Sequence, residues 1–136
     1  MNDKSVNIIN KTSLKEKIRS FFAQDFFKNS AVRWLLTGTL LLNLAGWTFL
    51  VIFIRPVDFS IILHYNVYFG VDLIGDWWQA YVLPFMGVVF LIVNFILAYK
   101  FYKQKERIAS YIFLLASLMI QLGLIIASIG IVMINY

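Results

Sequence analysis

The sequence predicts an all-α membrane protein with three transmembrane helices, an N-terminal interfacial amphipathic helix and a folded outer loop. Three observations carry that expectation. Hydrophobic residues make up 61% of the 136-residue chain and charged residues only 14%, where an ordinary soluble domain carries about a quarter charged. Three stretches, each about twenty residues or longer and so of bilayer-crossing length, hold no charge at all, and a soluble domain of this size could not hide such runs from water. Lysine and arginine are confined almost entirely to two segments, the asymmetry that orients helices in a bilayer.

Residues 1–33 form a basic segment expected on the cytoplasmic side. Within it residues 13–29, SLKEKIRSFFAQDFFKN, place Ser13 and Glu16 at capping-box spacing and Leu14, Ile18, Phe21, Phe22 and Phe26 along one side of a helix. Asp25 interrupts the stripe. With Lys15, Lys17, Arg19 and Lys28 nearby, the pattern favours a helix lying on an anionic inner leaflet over a soluble tail docked on a partner. Charges continue to Arg33 and no small-residue cleavage site follows a short apolar region, so the segment is expected to be retained.

Residues 34–136 are expected to be one transmembrane domain. The first span, residues 34–54, reads WLLTGTLLLNLAGWTFLVIFI and is closed by Arg55-Pro56; at about 1.5 Å per residue it covers about 30 Å of hydrocarbon. The second, residues 81–99, ends at Lys100 and carries Pro84 in its first turns, where a missing donor costs little. The third, residues 108–134, is uncharged throughout and long enough to cross with tilt. Seven basic residues precede the first span and Lys100, Lys103, Lys105 and Arg107 fill the turn between the second and third, whereas residues 55–80 hold Arg55 alone beside Asp58, Asp72 and Asp76. Eleven of twelve basic residues therefore fit one multi-pass topology in a plasma (inner) membrane, N-terminus inside and C-terminus outside. Trp34, Tyr99, Tyr102 and Tyr111 then fall near the inner interface and Trp77, Trp78, Tyr81 and Tyr136 near the outer one, where amphipathic rings favour the headgroup zone.

The polar residues inside the spans are mostly amides and hydroxyls, and no charged residue lies there to serve a proton relay or ion path, which argues against active transport by a monomer. Asn43 and Gln121 lie near the midplane, and Thr39 and Asn94 about one turn nearer the cytoplasm. Interhelical hydrogen bonding is their commoner use; a polar path or an oligomer contact is the functional alternative. Gly123 and Ala127 form a small-xxx-small pair suited to close helix approach, with span one, span two or a second protein as the possible neighbour.

The loop, residues 55–80, reads RPVDFSIILHYNVYFGVDLIGDWWQA. Leu63, Tyr65, Val67 and Phe69 alternate with His64, Asn66 and Tyr68, the period of a short strand, and Gly70 and Gly75 supply turns. Its apolar content favours folding back on the helix ends over projecting into water. The succession Pro56, His64-Tyr65-Asn66, Gly70, Asp72, Gly75 and Leu83-Pro84 over residues 56–97 resembles the domain of unknown function in SdpI-type membrane proteins. Gly70 stands one position later than in that pattern and Val71 replaces a proline. The resemblance implies a membrane protein of a type that includes immunity to a secreted toxin and signalling to a repressor. The chain also resembles small bacterial membrane proteins of no assigned role.

His64, Asn66, Asp72 and Asp76 are the outer-loop candidates for binding. His64, the single histidine, can meet Asp72 across a turn; a bond that pins the loop is favoured over a ligand or pH-sensing site, because catalysis needs a third oriented group. One histidine beside scattered carboxylates, with no cysteine, makes a poor metal site, and no cofactor or nucleic-acid partner is expected. No phosphate-binding glycine loop, metalloprotease helix or nucleophile elbow occurs. The functional expectation is a non-enzymatic accessory, sensor or immunity-type protein that contacts lipid and a protein partner or its own copies. A small oligomeric channel or transporter component is the alternative.

Overall fold

The computed structural model describes residues 24–136. In chain order these form α1 (Asp25–Lys28), α2 (Ser30–Phe53), β1 (Ile61–Asn66), β2 (Gly70–Gly75), a 3₁₀ turn (Trp77–Tyr81), α3 (Val82–Lys103) and α4 (Arg107–Asn135). Three helices, Ser30–Phe53, Trp77–Lys103 with its 3₁₀ lead-in, and Arg107–Asn135, are long and apolar enough to cross a membrane. Each starts before the uncharged stretch that predicts it, and the second and third also run past its end, because local end geometry as well as hydrophobicity decides where a helix begins and stops.

Asn29 shows this at the start of α2. Its backbone is extended and its side-chain oxygen accepts from the amides of Ala31 (2.9 Å) and Val32 (3.4 Å), so the helix begins at Ser30. At the other end of the bundle's connections, α3 continues to Lys103 and closes in a Schellman turn: Glu106 N donates to Phe101 O (3.0 Å) and Lys105 N to Tyr102 O (3.1 Å). Lys105 takes the left-handed conformation, φ 66°, that this turn requires.

Most of the amphipathic helix expected over residues 13–29 lies outside the described residues. The part within them differs from expectation: α1 is four residues long, and Phe26 is only 2% exposed. Its ring meets Phe95, Tyr99 and Tyr102 edge-on, with centroids 6.0, 5.5 and 5.2 Å apart, so this end of the aromatic stripe packs on protein instead of facing lipid. Edge-to-face contact satisfies both rings' quadrupoles, which lipid tails cannot do.

Within the bundle, α4 packs along both α2 and α3, which touch each other far less. Its inward face is Ser110, Leu114, Ser117, Gln121, Ser128, Ile131 and Val132, all buried. The serines supply the small side chains that let the backbones approach. Gly123 and Ala127 lie exposed on the opposite face, and a Cβ added at Gly123 would meet nothing within 4 Å. Neither α2 nor α3 is therefore the neighbour of that pair. Two apolar clusters fill the bundle, one around Leu50, Ile54, Ile61, Ala80, Ile131 and Val132, the other around Phe26, Val32, Ala98 and Leu114.

The fold is mostly helical but not all-α. β1 and β2 pair antiparallel, from Ile61 opposite Gly75 to Asn66 opposite Gly70. The single strand expected over residues 63–69 ends at Asn66 instead, because Val67, Tyr68 and Phe69 form the turn. Asn66 Oδ1 accepts from Tyr68 N (2.9 Å) and Gly70 has φ 79°, both of which reverse the chain. Gly75 lacks a positive φ and serves close approach instead: a Cβ there would come 2.7 Å from Leu63 Cδ1 and collide with the Gln79 amide.

Candidate functional site

The hairpin end of the molecule is assembled from three anchors. Asn135, the last residue of α4, imitates a neighbouring strand: its Oδ1 accepts from Ile62 N (2.9 Å) while its Nδ2 donates to Ile62 O (2.7 Å). Tyr81 OH donates to Ile54 O (2.9 Å), satisfying a carbonyl left open where α2 ends. Asp76 accepts from Trp78 Nε1 (3.2 Å), and its own amide donates to Gln79 Oε1 (3.2 Å), which holds the 3₁₀ turn at the head of α3. β1 thus docks on the helices, whereas among the described residues β2 makes substantial contact with β1 alone.

Of the four loop candidates, the hairpin brings two together. His64 Nδ1 lies 2.7 Å from Asp72 Oδ1, with both side chains exposed. Irregularities in the register on either side of His64 turn it to the same face as Asp72. Asn66 and Asp76 sit at opposite ends of the ribbon and act in its turns. Among the described residues no group of three or more acidic or histidine side chains converges as a metal site would need. The exposed pair can offer hydrogen bonds to a polar ligand.

The hairpin's more unusual feature is its apolar surface. Val67, Tyr68 and Phe69 at the tip are 84%, 91% and 85% exposed, and Val71, Leu73 and Ile74 on β2 are exposed too. Among the described residues no strand pairs with the outer edge of β2, and such an edge is a template for another strand.

At the bundle centre, Asn43 Nδ2 donates to Gln121 Oε1 (3.1 Å) and to Pro84 O (3.0 Å), and Gln121 Nε2 donates to Gly87 O (2.7 Å). Both amides are buried. This knot ties all three helices together. Gly87, which sequence reasoning missed, makes it possible: a Cβ there would lie 2.6 Å from both Asn43 Nδ2 and Gln121 Oε1. Thr39 and Asn94, whose depths also matched, do not meet. Thr39 Oγ1 donates to Leu35 O (2.7 Å) within its own helix, and Asn94 is half-buried on α3 with no hydrogen bond among the described residues. Equal depth does not ensure equal facing, since each residue advances the helix by about 100°.

The class that this geometry defines is a three-helix chain of membrane-crossing length and apolarity that carries a docked β-hairpin at one end. No protein-family model, curated protein or solved structure matches the chain.

Proposed function

We propose that this chain is a non-enzymatic, multi-pass membrane protein that binds a protein partner through its extracytoplasmic hairpin, in an accessory, sensor or immunity-type role. The observation that carries the reading is the hairpin itself, pinned by Asn135 and Tyr81 yet presenting an apolar tip and, among the described residues, an unpaired edge strand. An extended segment of a partner would add to β2, with Val71, Leu73 and Ile74 supplying apolar contact and the His64–Asp72 pair selecting polar groups. The likeness of residues 56–97 to SdpI-type proteins, centred on His64 and Asp72, supports the same surface. The basic residues gathered before the first span and in the turn between the second and third, against Arg55 alone in the other loop, support a cytoplasmic N-terminus.

The test is recovery of partners with a tagged, mildly solubilised form. Leu73→Lys on the β2 edge and, separately, His64→Ala or Asp72→Ala are expected to lower partner recovery several-fold while membrane insertion stays unchanged. Equal recovery from all variants would remove the hairpin from the binding surface. The channel alternative requires Asn43, Asn94 and Gln121 to line a shared path, yet Asn43 and Gln121 are already bonded to each other and to carbonyls inside one chain. Liposome flux that drops in Asn43→Leu and Gln121→Leu would restore it.

A further inference from the structure

The weak contact between α2 and α3 leaves a lateral groove along the half of the bundle nearer the α3–α4 turn. It measures about 700 Å³ and is lined by Phe27, Arg33, Leu36, Thr37, Leu40, Leu91 and Phe95. A second recess of about 370 Å³ opens beside Trp34 and shares Arg33 and Thr37 with the first. Among the described residues, the larger space is apolar apart from Arg33 and Thr37, one helical turn apart on α2, Trp34 completes the smaller one, and no acidic side chain lines either. Among the described residues, Arg33 has no carboxylate partner and the Thr37 hydroxyl no hydrogen bond.

We infer that this paired groove holds one anionic phospholipid, its phosphate on Arg33, an ester oxygen near Thr37 and its two acyl chains in the two recesses. The inference rests on the reading of the three helices as membrane spans. From Arg33 to Leu40 the helix rises by about 10 Å, room for the upper half of an acyl chain. The guanidinium offers a fork of donors matched to phosphate oxygens. Charge argues against the chain's own N-terminal residues as the occupant: Lys4, Lys11, Lys15, Lys17 and Arg19 outnumber Asp3 and Glu16 there, and would bring more positive charge to Arg33. A phosphodiester brings the missing negative one. Trp34, 75% exposed beside Arg33, stands where an indole favours the headgroup boundary.

The experiment uses the full chain in mild detergent with equal amounts of phosphatidylglycerol and phosphatidylcholine of identical acyl composition, and counts bound lipid by native mass spectrometry. The expected result is a preference for phosphatidylglycerol of about fivefold, as one interfacial cation provides. Arg33→Gln should abolish the preference, Arg33→Lys should keep most of it, and Leu40→Trp, which fills the groove, should reduce retention of both lipids. Circular dichroism on each variant separates lost binding from lost folding. A preference that survives Arg33→Gln in folded protein overturns the proposal, as does unchanged retention in Leu40→Trp. A photo-reactive amino acid at position 40, activated in membranes, should capture lipid; capture of residues 1–23 or of another protein overturns it as well. Resistance to alkaline carbonate extraction, measured on the same membranes, tests the spans separately, so an integral chain indifferent to lipid charge sinks the groove alone.

Discussion

Gly87 and the two amides it faces set a tight constraint at the centre of the bundle. Gly87→Ala forces a methyl group between Asn43 and Gln121, and at least one buried amide then loses its partner. The expected loss is about 2 kcal/mol, the cost of an unsatisfied buried polar group, read by reversible unfolding in mixed micelles. Asn43→Leu and Gln121→Leu each strand the other amide, so the double variant should be less destabilised than the sum of the two. A coupling of about 1 kcal/mol is typical for interhelical hydrogen bonds in a membrane; strict additivity would show that the two side chains do not act as a pair. The meeting of His64 and Asp72 was legible because a separation of eight positions with a glycine between them suffices for a tight hairpin. The role of Gly87 was not, since a glycine in an apolar run gives no sign of which side chains will face it.

At the scale of elements, single residues decide where segments end and how they dock. Asn135→Leu removes the imitation strand at Ile62 at the very end of α4 and leaves the uncharged stretch 108–134 unaltered. The hairpin should then loosen, with amide exchange at Ile62 at least tenfold faster, about 1.4 kcal/mol of lost protection, while helix content is retained. Unchanged exchange would mean that the apolar cluster under Ile61 holds the hairpin by itself. Lys105 marks the opposite end. A left-handed lysine is strained by about 1 kcal/mol relative to glycine, so Lys105→Gly should stabilise the α3–α4 connection by that amount in the same unfolding assay. The alternation of residues 63–69 signalled extended structure, but not that Val67–Phe69 would turn and that a second strand, Gly70–Gly75, would pair with the first. GVDLIG alternates poorly, and its strand character comes from the partner beside it.

For the molecule as a whole, the distribution of charge sets the expected threading. A single engineered thiol at Lys103 should stay inaccessible to a membrane-impermeant reagent in intact cells, and one at Tyr68 should react readily; the reverse pattern would invert the topology and move the hairpin to the cytoplasm. The three long helices were visible in the sequence because membrane-crossing character is additive along the chain: every residue of residues 34–54, 81–99 and 108–134 contributes its own transfer free energy, whatever its neighbours in space. Which faces meet is a different kind of quantity. It depends on rotation about each helix axis and on the small shifts that let side chains interlock, and both are properties of the packed bundle. Only the tertiary structure therefore decided that Asn43 finds Gln121 while Thr39 misses Asn94. It also decided that Ser110, Ser117 and Ser128 line the contact and Gly123 and Ala127 face away, and that Phe26 is held by aromatic rings of the bundle.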